Sequence, residues 1–396
     1  MMKNSLLLLS GYAGKSATTL LILWGFARLS GAEGAGQFAY ALAVSFPVFI
    51  LAELGLRNVL QTLHDSPPFR AYLALRTAGV VLAVGAIAAA AVLIDGFPPS
   101  AVLIPLLGMR AADSLLDICY GCLQSVGRVG AVARWMWINN LLTVVAVAIP
   151  LALGLPAEAS IWGSFAASLV VAVPVMIWCL RSIDPARWRP NRRDTRRILT
   201  AGSHLGVSQG ISSAMTYLPT IYLAAASSAS VVGVFAVTQY VVTFANLFLS
   251  SIQQTQLRSL RAGFASGGLG RLKGLSLRIG MREMLLSFAM AVVALAAFPP
   301  LLPLIFGEEF VVSRLEFLPI ALTVVALSAD YATSAPQLVL NRYSSRAGVA
   351  VVGLVATLAV AAATIQDASL TSAGYVVLAG VSARALAGFV LVRRLF

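Results

Sequence analysis

The sequence predicts an all-α polytopic membrane protein with twelve transmembrane helices in two halves of six. Three observations carry that prediction. The chain is 59% hydrophobic and only 11% charged, with a mean hydropathy of +0.88, whereas a soluble domain carries about 25% charged residues. So few charges over 396 residues cannot make a water-facing surface. Apolar stretches of ~20 residues, long enough to cross a bilayer, recur from end to end. Near the middle, one polar segment gathers Arg181, Arg187, Arg189, Arg192, Arg193, Arg196 and Arg197, offset by Asp184 and Asp194. A cluster this basic resists crossing a bilayer and marks one face as cytoplasmic.

Taken in order, the spans cover 6–29, 37–57, 71–94, 101–124, 131–154, 158–180, 198–225, 231–257, 276–302, 313–340, 347–365 and 371–392. The first begins like a signal peptide, with Lys3 ahead of an apolar run. Lys15 interrupts that run and apolar sequence resumes through Trp24 without a cleavage site, so an uncleaved span is expected. Each later span is bounded by a gap whose charge alternates. On one side the gaps carry Arg57, Arg70 and Arg76, then Arg128 and Arg134, the arginine segment, Arg258 to Arg282, Arg342 and Arg346, and the tail Arg393 and Arg394. On the other side the gaps 31–36, 95–100, 154–157, 226–230, 307–312 and 366–370 contain no Lys or Arg, and hold Glu33, Asp95, Glu308, Glu309 and Asp367. Arg28 and Arg314 lie just inside the flanking spans. This asymmetry supports the count of twelve and puts both termini in the cytoplasm.

The expected organisation is an N-terminal six-helix lobe over 1–180, a basic cytoplasmic linker over 181–197, and a second six-helix lobe over 198–396. A short echo supports a repeat: span two starts with Gly36-Gln-Phe38-Ala39 and span eight with Gly233-Val-Phe235-Ala236, at matching places in the two halves. Equal orientation of both halves implies a parallel repeat about an axis along the membrane normal.

Several function classes fall away. The net charge of +13 by itself would suit a nucleic-acid partner, but the cations sit in gaps between spans, which suits membrane orientation and anionic lipids at the cytoplasmic face. The outer gaps are too short to hold an extramembrane catalytic domain, and no Gly-x4-Gly-Lys-Ser/Thr loop is present for ATP hydrolysis, so no enzyme activity is expected. Cys119 and Cys122 form a CxxC, but no second cysteine pair or nearby histidine completes a metal site; Cys179, His64 and His204 stand elsewhere. Two small residues in a membrane helix are expected there, and no cofactor.

Three stretches carry a family resemblance. Arg28-Leu-Ser-Gly31 with Glu33-Gly34, Gly36 and Phe38-Ala39 resembles the first outer turn of polysaccharide (O-antigen and exopolysaccharide) flippases. Glu53-Leu-Gly55-Leu56 is similar to their second-span exit, and Leu304-Ile-Phe306-Gly307-Glu308-Glu309-Phe310 to their aromatic-Gly-acidic-aromatic turn. These flippases share the multidrug/oligosaccharidyl-lipid/polysaccharide (MOP) superfamily with lipid II flippases and multidrug extruders. The chain lacks the two further C-terminal spans expected of lipid II flippases, which counts against that branch. The resemblance implies two pseudo-symmetric lobes facing across a central cavity and rocking by alternating access. It also implies a polyprenyl-diphosphate-linked oligosaccharide as cargo, moved from the inner to the outer leaflet of the bacterial inner membrane.

Ionisable groups at membrane depth point to the working parts, because each Arg or Lys at a helix centre costs about 2.5–3.5 kcal/mol facing lipid. Lys15, Arg110 and Arg384 fall well inside spans. Lys15, beside Tyr12, Thr18 and Thr19, either contacts the carrier diphosphate or snorkels to the inner surface. Arg28 either receives the headgroup on the outer side or caps its helix. In span four, Arg110, Asp113, Asp117 and Gln124 share one stripe. Arg110 is either neutralised by Asp113 or Asp117 as a structural pair, or belongs to a proton- or cation-coupled site.

Span seven offers Gln209, Ser212, Ser213, Thr216 and Tyr217, and span eight Gln239, Thr243, Asn246, Ser250 and Gln253. These either line a passage for sugars, with Tyr217 or Tyr222 stacking on pyranose faces, or bond helix to helix. Asp330, next to Tyr331, is a coupling acid for H+ or Na+ or the partner of Arg384. Pro47, Pro174, Pro219 and Pro319 mark expected kinks or unwound turns. The expected substrate-binding set is therefore Lys15, Arg28, Arg110, Gln209, Tyr217, Gln239, Asn246 and Gln253, with Asp113, Asp117 and Asp330 as coupling acids. The membrane potential is an alternative driving force, and a glycan polymerase and chain-length proteins are candidate partners. The rival function is an ion-coupled multidrug antiporter of the same fold, with a non-transporting scaffold of a glycan-assembly complex as a third class. The sign of the cavity discriminates the first two: cationic suits a diphosphate, anionic suits organic cations.

Overall fold

The structure, a computed structural model, describes residues 2–62, 67–183, 191–340 and 342–395. All regular elements among the described residues are helical. In order they are α1 (Met2–Glu53), α2 (Leu56–Thr62), α3 (Phe69–Leu93), α4 (Ser100–Ser125), α5 (Val129–Leu153), α6 (Glu158–Trp178), α7 (Arg192–Ala226), α8 (Ala229–Phe306), α9 (Arg314–Val339), α10 (Tyr343–Ala363) and α11 (Leu370–Leu395). A π-helical turn follows α6 (Cys179–Ile183), and 3-10 turns lie at Glu308–Phe310 and Ile365–Asp367.

Two of these helices are double. The backbone of α1 leaves helical geometry at Gly31 (φ 65°, ψ −164°). That of α8 does so at Gly267 (φ −148°, ψ 16°) and Gly268 (φ 59°, ψ −152°). Counting α1 and α8 as two arms each, and setting the short α2 aside, the described residues hold the twelve expected long helices. The expected gaps 31–36 and 258–275 are, however, almost entirely helical. At each break one glycine, Gly31 in α1 and Gly268 beside Gly267 in α8, takes a conformation closed to residues with a Cβ. Of the two outcomes expected at the four prolines, kinks or unwound turns, the second does not occur. Pro47, Pro174, Pro219 and Pro319 lie inside α1, α6, α7 and α9 without an unwound turn.

The outer surface is apolar, as a bilayer requires. Leu82 is 72% exposed, Val92 86%, Leu304 72% and Leu386 67%, a density of exposed aliphatics that suits lipid rather than water. The protein is a multi-pass membrane protein.

The chain forms two compact units, Met1–Ser213 and Ala214–Phe396. The division falls inside α7. Much of the expected linker, including Asp184, Arg187 and Arg189, lies outside the described residues, as does His64; of the His204 side chain nothing is described. Within the first unit α4 packs on α6 and α5 on α6; within the second α9 packs on α11 and α10 on α11. These are spans four, five and six against ten, eleven and twelve, so the same pairings recur in the same order. The echoed phenylalanines share an environment too: Phe38 and Phe235 are both fully buried.

Local sequence explains the remaining joints. Phe310 is buried with its ring 5.6 Å from that of Phe306, so the aromatic-Gly-acidic-aromatic stretch is a folded turn around Gly307 (φ 123°). Ser313 and Glu316 then cap α9 reciprocally, each side chain bonding the other residue's backbone N–H. Cys119, Cys122 and Cys179 are buried free thiols in the apolar cluster that joins α2, α3, α4 and α6.

Candidate functional site

Charge in the first unit gathers on α4. A helix carrying Arg110, Asp113 and Asp117 on one face must turn that face toward protein or water. The structure divides the stripe into two groups.

The first group is an ion-pair network. Asp117 lies between Arg57 of α2 and Arg76 of α3. Arg76, 1% exposed, also meets Glu53 at 3.2 Å and Ser114 at 3.4 Å. Gln124 accepts from Arg57 at 2.9 Å, and the Arg57 guanidinium lies 5.4 Å from the centre of the Tyr12 ring. Two arginines against Glu53 and Asp117 leave this group neutral.

The second group surrounds a cavity of about 200 Å³ whose lining includes Lys15, Thr18, Thr19, Phe46, Arg110 and Asp113. Lys15 reaches Asp113, Nζ to Oδ2, at 2.7 Å, and the Ser168 hydroxyl donates to Asp113 Oδ1 at 2.9 Å. The Thr18 and Thr19 hydroxyls donate to the Lys15 carbonyl at 2.9 and 3.1 Å. Arg110 is not paired with Asp113 or Asp117. Its guanidinium lies 3.6 Å from the centre of the Phe46 ring and 5.7 Å from that of Phe49. The reason is competition, since Lys15 takes Asp113 and two arginines take Asp117, leaving Arg110 the aromatic face. Its Nε is buried without a hydrogen-bond partner. Two cations against one anion make this cavity net positive. The volume admits a small anionic group and falls short of the 300–1,000 Å³ typical of a drug-sized ligand.

Arg28 lies apart from this lining, exposed on the first arm of α1, with its guanidinium 6.0 Å from the centre of the Trp24 ring. Gln209 is exposed on α7 and Tyr217 half-buried. In the second unit, Asp330 of α9 pairs with Arg384 of α11. The Gln253 amide donates to the Tyr331 carbonyl at 3.0 Å and to Ser334 at 2.7 Å. Asn246 accepts from the Tyr331 hydroxyl at 2.9 Å, and Gln239 donates to the Thr216 carbonyl at 3.0 Å. These three amides therefore tie α8 to α9 and α7, as polar residues between membrane helices commonly do. Tyr222 is buried with its hydroxyl 2.7 Å from the Thr364 carbonyl and 3.0 Å from Ser372, so its ring is not free to stack on a sugar.

Reading the sequence missed Phe46 as the seat of Arg110, and the burial of Arg76. Arg76 had a signal, because it lies several residues inside the apolar stretch of α3. Phe46 had none.

The fold is the one seen in membrane transporters of the MOP superfamily. Residues 1–257 match the family described as polysaccharide biosynthesis protein, and the chain belongs to that family. It is 23% identical over 306 residues to the capsular polysaccharide biosynthesis protein CapF of Staphylococcus aureus, covering 73% of each chain. Among solved structures it resembles an inward-facing multidrug resistance MATE family transporter of the MOP superfamily (TM-score 0.71, 14% identity, 95% of this chain and 93% of that one). It also resembles a MOP superfamily transporter from Pyrococcus furiosus, whose binding pocket is described as having reverse polarity suggestive of a different function (TM-score 0.66, 13% identity, 99% and 94%). At these identities the structural likeness speaks to the fold.

Proposed function

We propose that this protein flips a polyprenyl-diphosphate-linked oligosaccharide, an O-antigen or exopolysaccharide repeat unit, from the inner to the outer leaflet of the bacterial inner membrane by alternating access. The observation that carries this reading is the net-positive cavity of the first unit, where among the described residues Arg110 has no acidic partner and an unbonded Nε. A diphosphate supplies the acceptors that Arg110 lacks, and it competes with Asp113 for Lys15. The lipid tail stays in hydrocarbon while the charged headgroup follows a wet, cationic path. Family membership supports a glycan-linked cargo.

The antiporter reading needs open anionic groups. Asp113, Asp117 and Asp330 are instead each held by a basic side chain of their own unit. Using any of them to bind H+ or Na+ means first breaking an ion pair. Outward movement of an anion is favoured by an inside-negative potential, about 2.3 kcal/mol per charge per 100 mV, so the potential itself is the driving force that needs least from these acids. Arg192, Arg193, Arg196 and Arg197 line a shallow surface cavity at the start of α7 and suit anionic headgroups at the cytoplasmic face. A glycan polymerase and chain-length proteins would receive the cargo on the other side.

The test is transport of lipid-linked glycan in proteoliposomes, with surface glycan scored in cells. Charge-assisted hydrogen bonds are worth about 1.5–3 kcal/mol, so Arg110→Ala should lower transport roughly ten- to a hundredfold, and Lys15→Ala comparably. Arg110→Lys should retain part of the activity. Wild-type transport and normal surface glycan in both alanine variants would refute the assignment.

A further inference from the structure

The second unit buries one more acid in a membrane helix. Glu283, in the second arm of α8, is 3% exposed, and its Oε1 has no hydrogen-bond partner. Ser276 and Ser287 stand on the same stripe of the helix, and their hydroxyl oxygens are likewise buried and unbonded. The arm is closely packed here: one turn before Glu283, a Cβ built on Gly280 would lie 3.0 Å from that of Ala332 on α9. Beyond that, Leu272, Ala335 and Val339 form an apolar cluster.

Among the described residues no basic group answers this carboxyl. On the helices packed against the arm, Asp330 of α9 and Arg384 of α11 are engaged with each other. Tyr331 is bonded to Asn246. Glu316 caps the far end of α9 beside Arg314. Arg393 and Arg394 are exposed in the last turn of α11, and Arg261 is exposed on the first arm of α8. On its own arm Arg278 and Arg282 point outward and are exposed. Among the described residues no ion pair reaches Glu283, unlike Asp113, Asp117 and Asp330.

An isolated carboxylate in such a place neutralises by taking up a proton. A metal ion is a poor occupant, because hard cations want about six oxygen ligands and α9 offers Ala332, Ala335 and Val339 on this seam. We propose that Glu283 is a proton-binding site of the second unit. It holds a proton while the arm is seated on α9, and its O–H bond breaks with transfer of the proton to water when the arm swings away; reseating takes one proton back. Coupling to H+ would then run through Glu283, and the ion pairs of Asp113, Asp117 and Asp330 would stay intact. The inference rests on the transporter reading of the fold, but not on the identity of the cargo.

The experiment uses full-length protein in lipid nanodiscs. Hydrogen–deuterium exchange over residues 276–291, corrected for the intrinsic pH dependence of exchange, is followed as pH is raised. The wild type should exchange several-fold faster as Glu283 loses its proton. Glu283→Gln, nearly isosteric and folded like the wild type by thermal melting, should lose this pH response, and Glu283→Asp should keep it. A Gln variant that follows the wild-type pH response overturns the proposal, as does a wild type with no response. Neither readout needs a cargo, so failure of glycan transport leaves this test standing, and failure here leaves the transport test standing.

Discussion

Arg76 shows what a single side chain in this fold is asked to do. It is 1% exposed, and it holds Glu53 at 3.2 Å and Asp117 at 3.4 Å. Removing one partner of a buried pair strands the other, at a cost of about 3 kcal/mol or more. Arg76→Met should therefore lower the thermal unfolding midpoint in detergent clearly. Adding Glu53→Leu should recover most of the loss, because the stranded charge goes with it. A double variant as unstable as the single one would contradict the network. At this scale the sequence identified the residues and left the partners open. Lys15, Arg110, Arg384, Asp113, Asp117 and Asp330 all stood out as expensive at membrane depth. Helical spacing tells which face a residue occupies, but not which neighbour meets that face. So the expected pairing of Arg110 with Asp113 or Asp117 gave way to Lys15–Asp113 and a guanidinium over Phe46.

At the scale of elements, the decisive positions are Gly31 and Gly268. Both take φ near +60° with an extended ψ, a region almost closed to other residues and strained by about 1–3 kcal/mol when one is forced into it. Gly31→Ala and Gly268→Ala should each lower stability by that amount. Gly270→Ala, at a helical position with nothing within 4 Å, should be neutral or stabilise by up to about 1 kcal/mol. Thermal melting of the three variants side by side is the check; equal effects at all three positions would contradict the backbone argument. Both glycines were visible in the sequence, within stretches read as loops. A glycine-rich loop and a one-residue break in a helix look alike in composition, and only the conformation separates them.

At the scale of the whole molecule, charge placement makes two predictions. Basic residues near a surface attract anionic lipid by about 1 kcal/mol each. Replacing Arg192, Arg193, Arg196 and Arg197 by Gln should strip anionic lipid from the purified protein, as native mass spectrometry would read. Retention of lipid at the wild-type level would remove these arginines from that role. Topology is the second: single cysteines placed in 226–230 or 307–312 should label from outside intact cells, and one placed beside Arg394 only after permeabilisation. The reverse pattern would invert the assigned orientation.

The class of the protein, the twelve long helices and the repeat of its two halves followed from sequence alone. Hydropathy, span length and the charge of each gap are local quantities, and they add along the chain without reference to distant neighbours. The tertiary structure decided which charges cancel. Lys15 and Asp113, Arg57 and Asp117, and Asp330 and Arg384 are far apart in the chain and meet only when helices pack. Among the described residues that packing leaves Arg110 without an acidic partner in a small positive cavity and encloses Glu283 without a basic one.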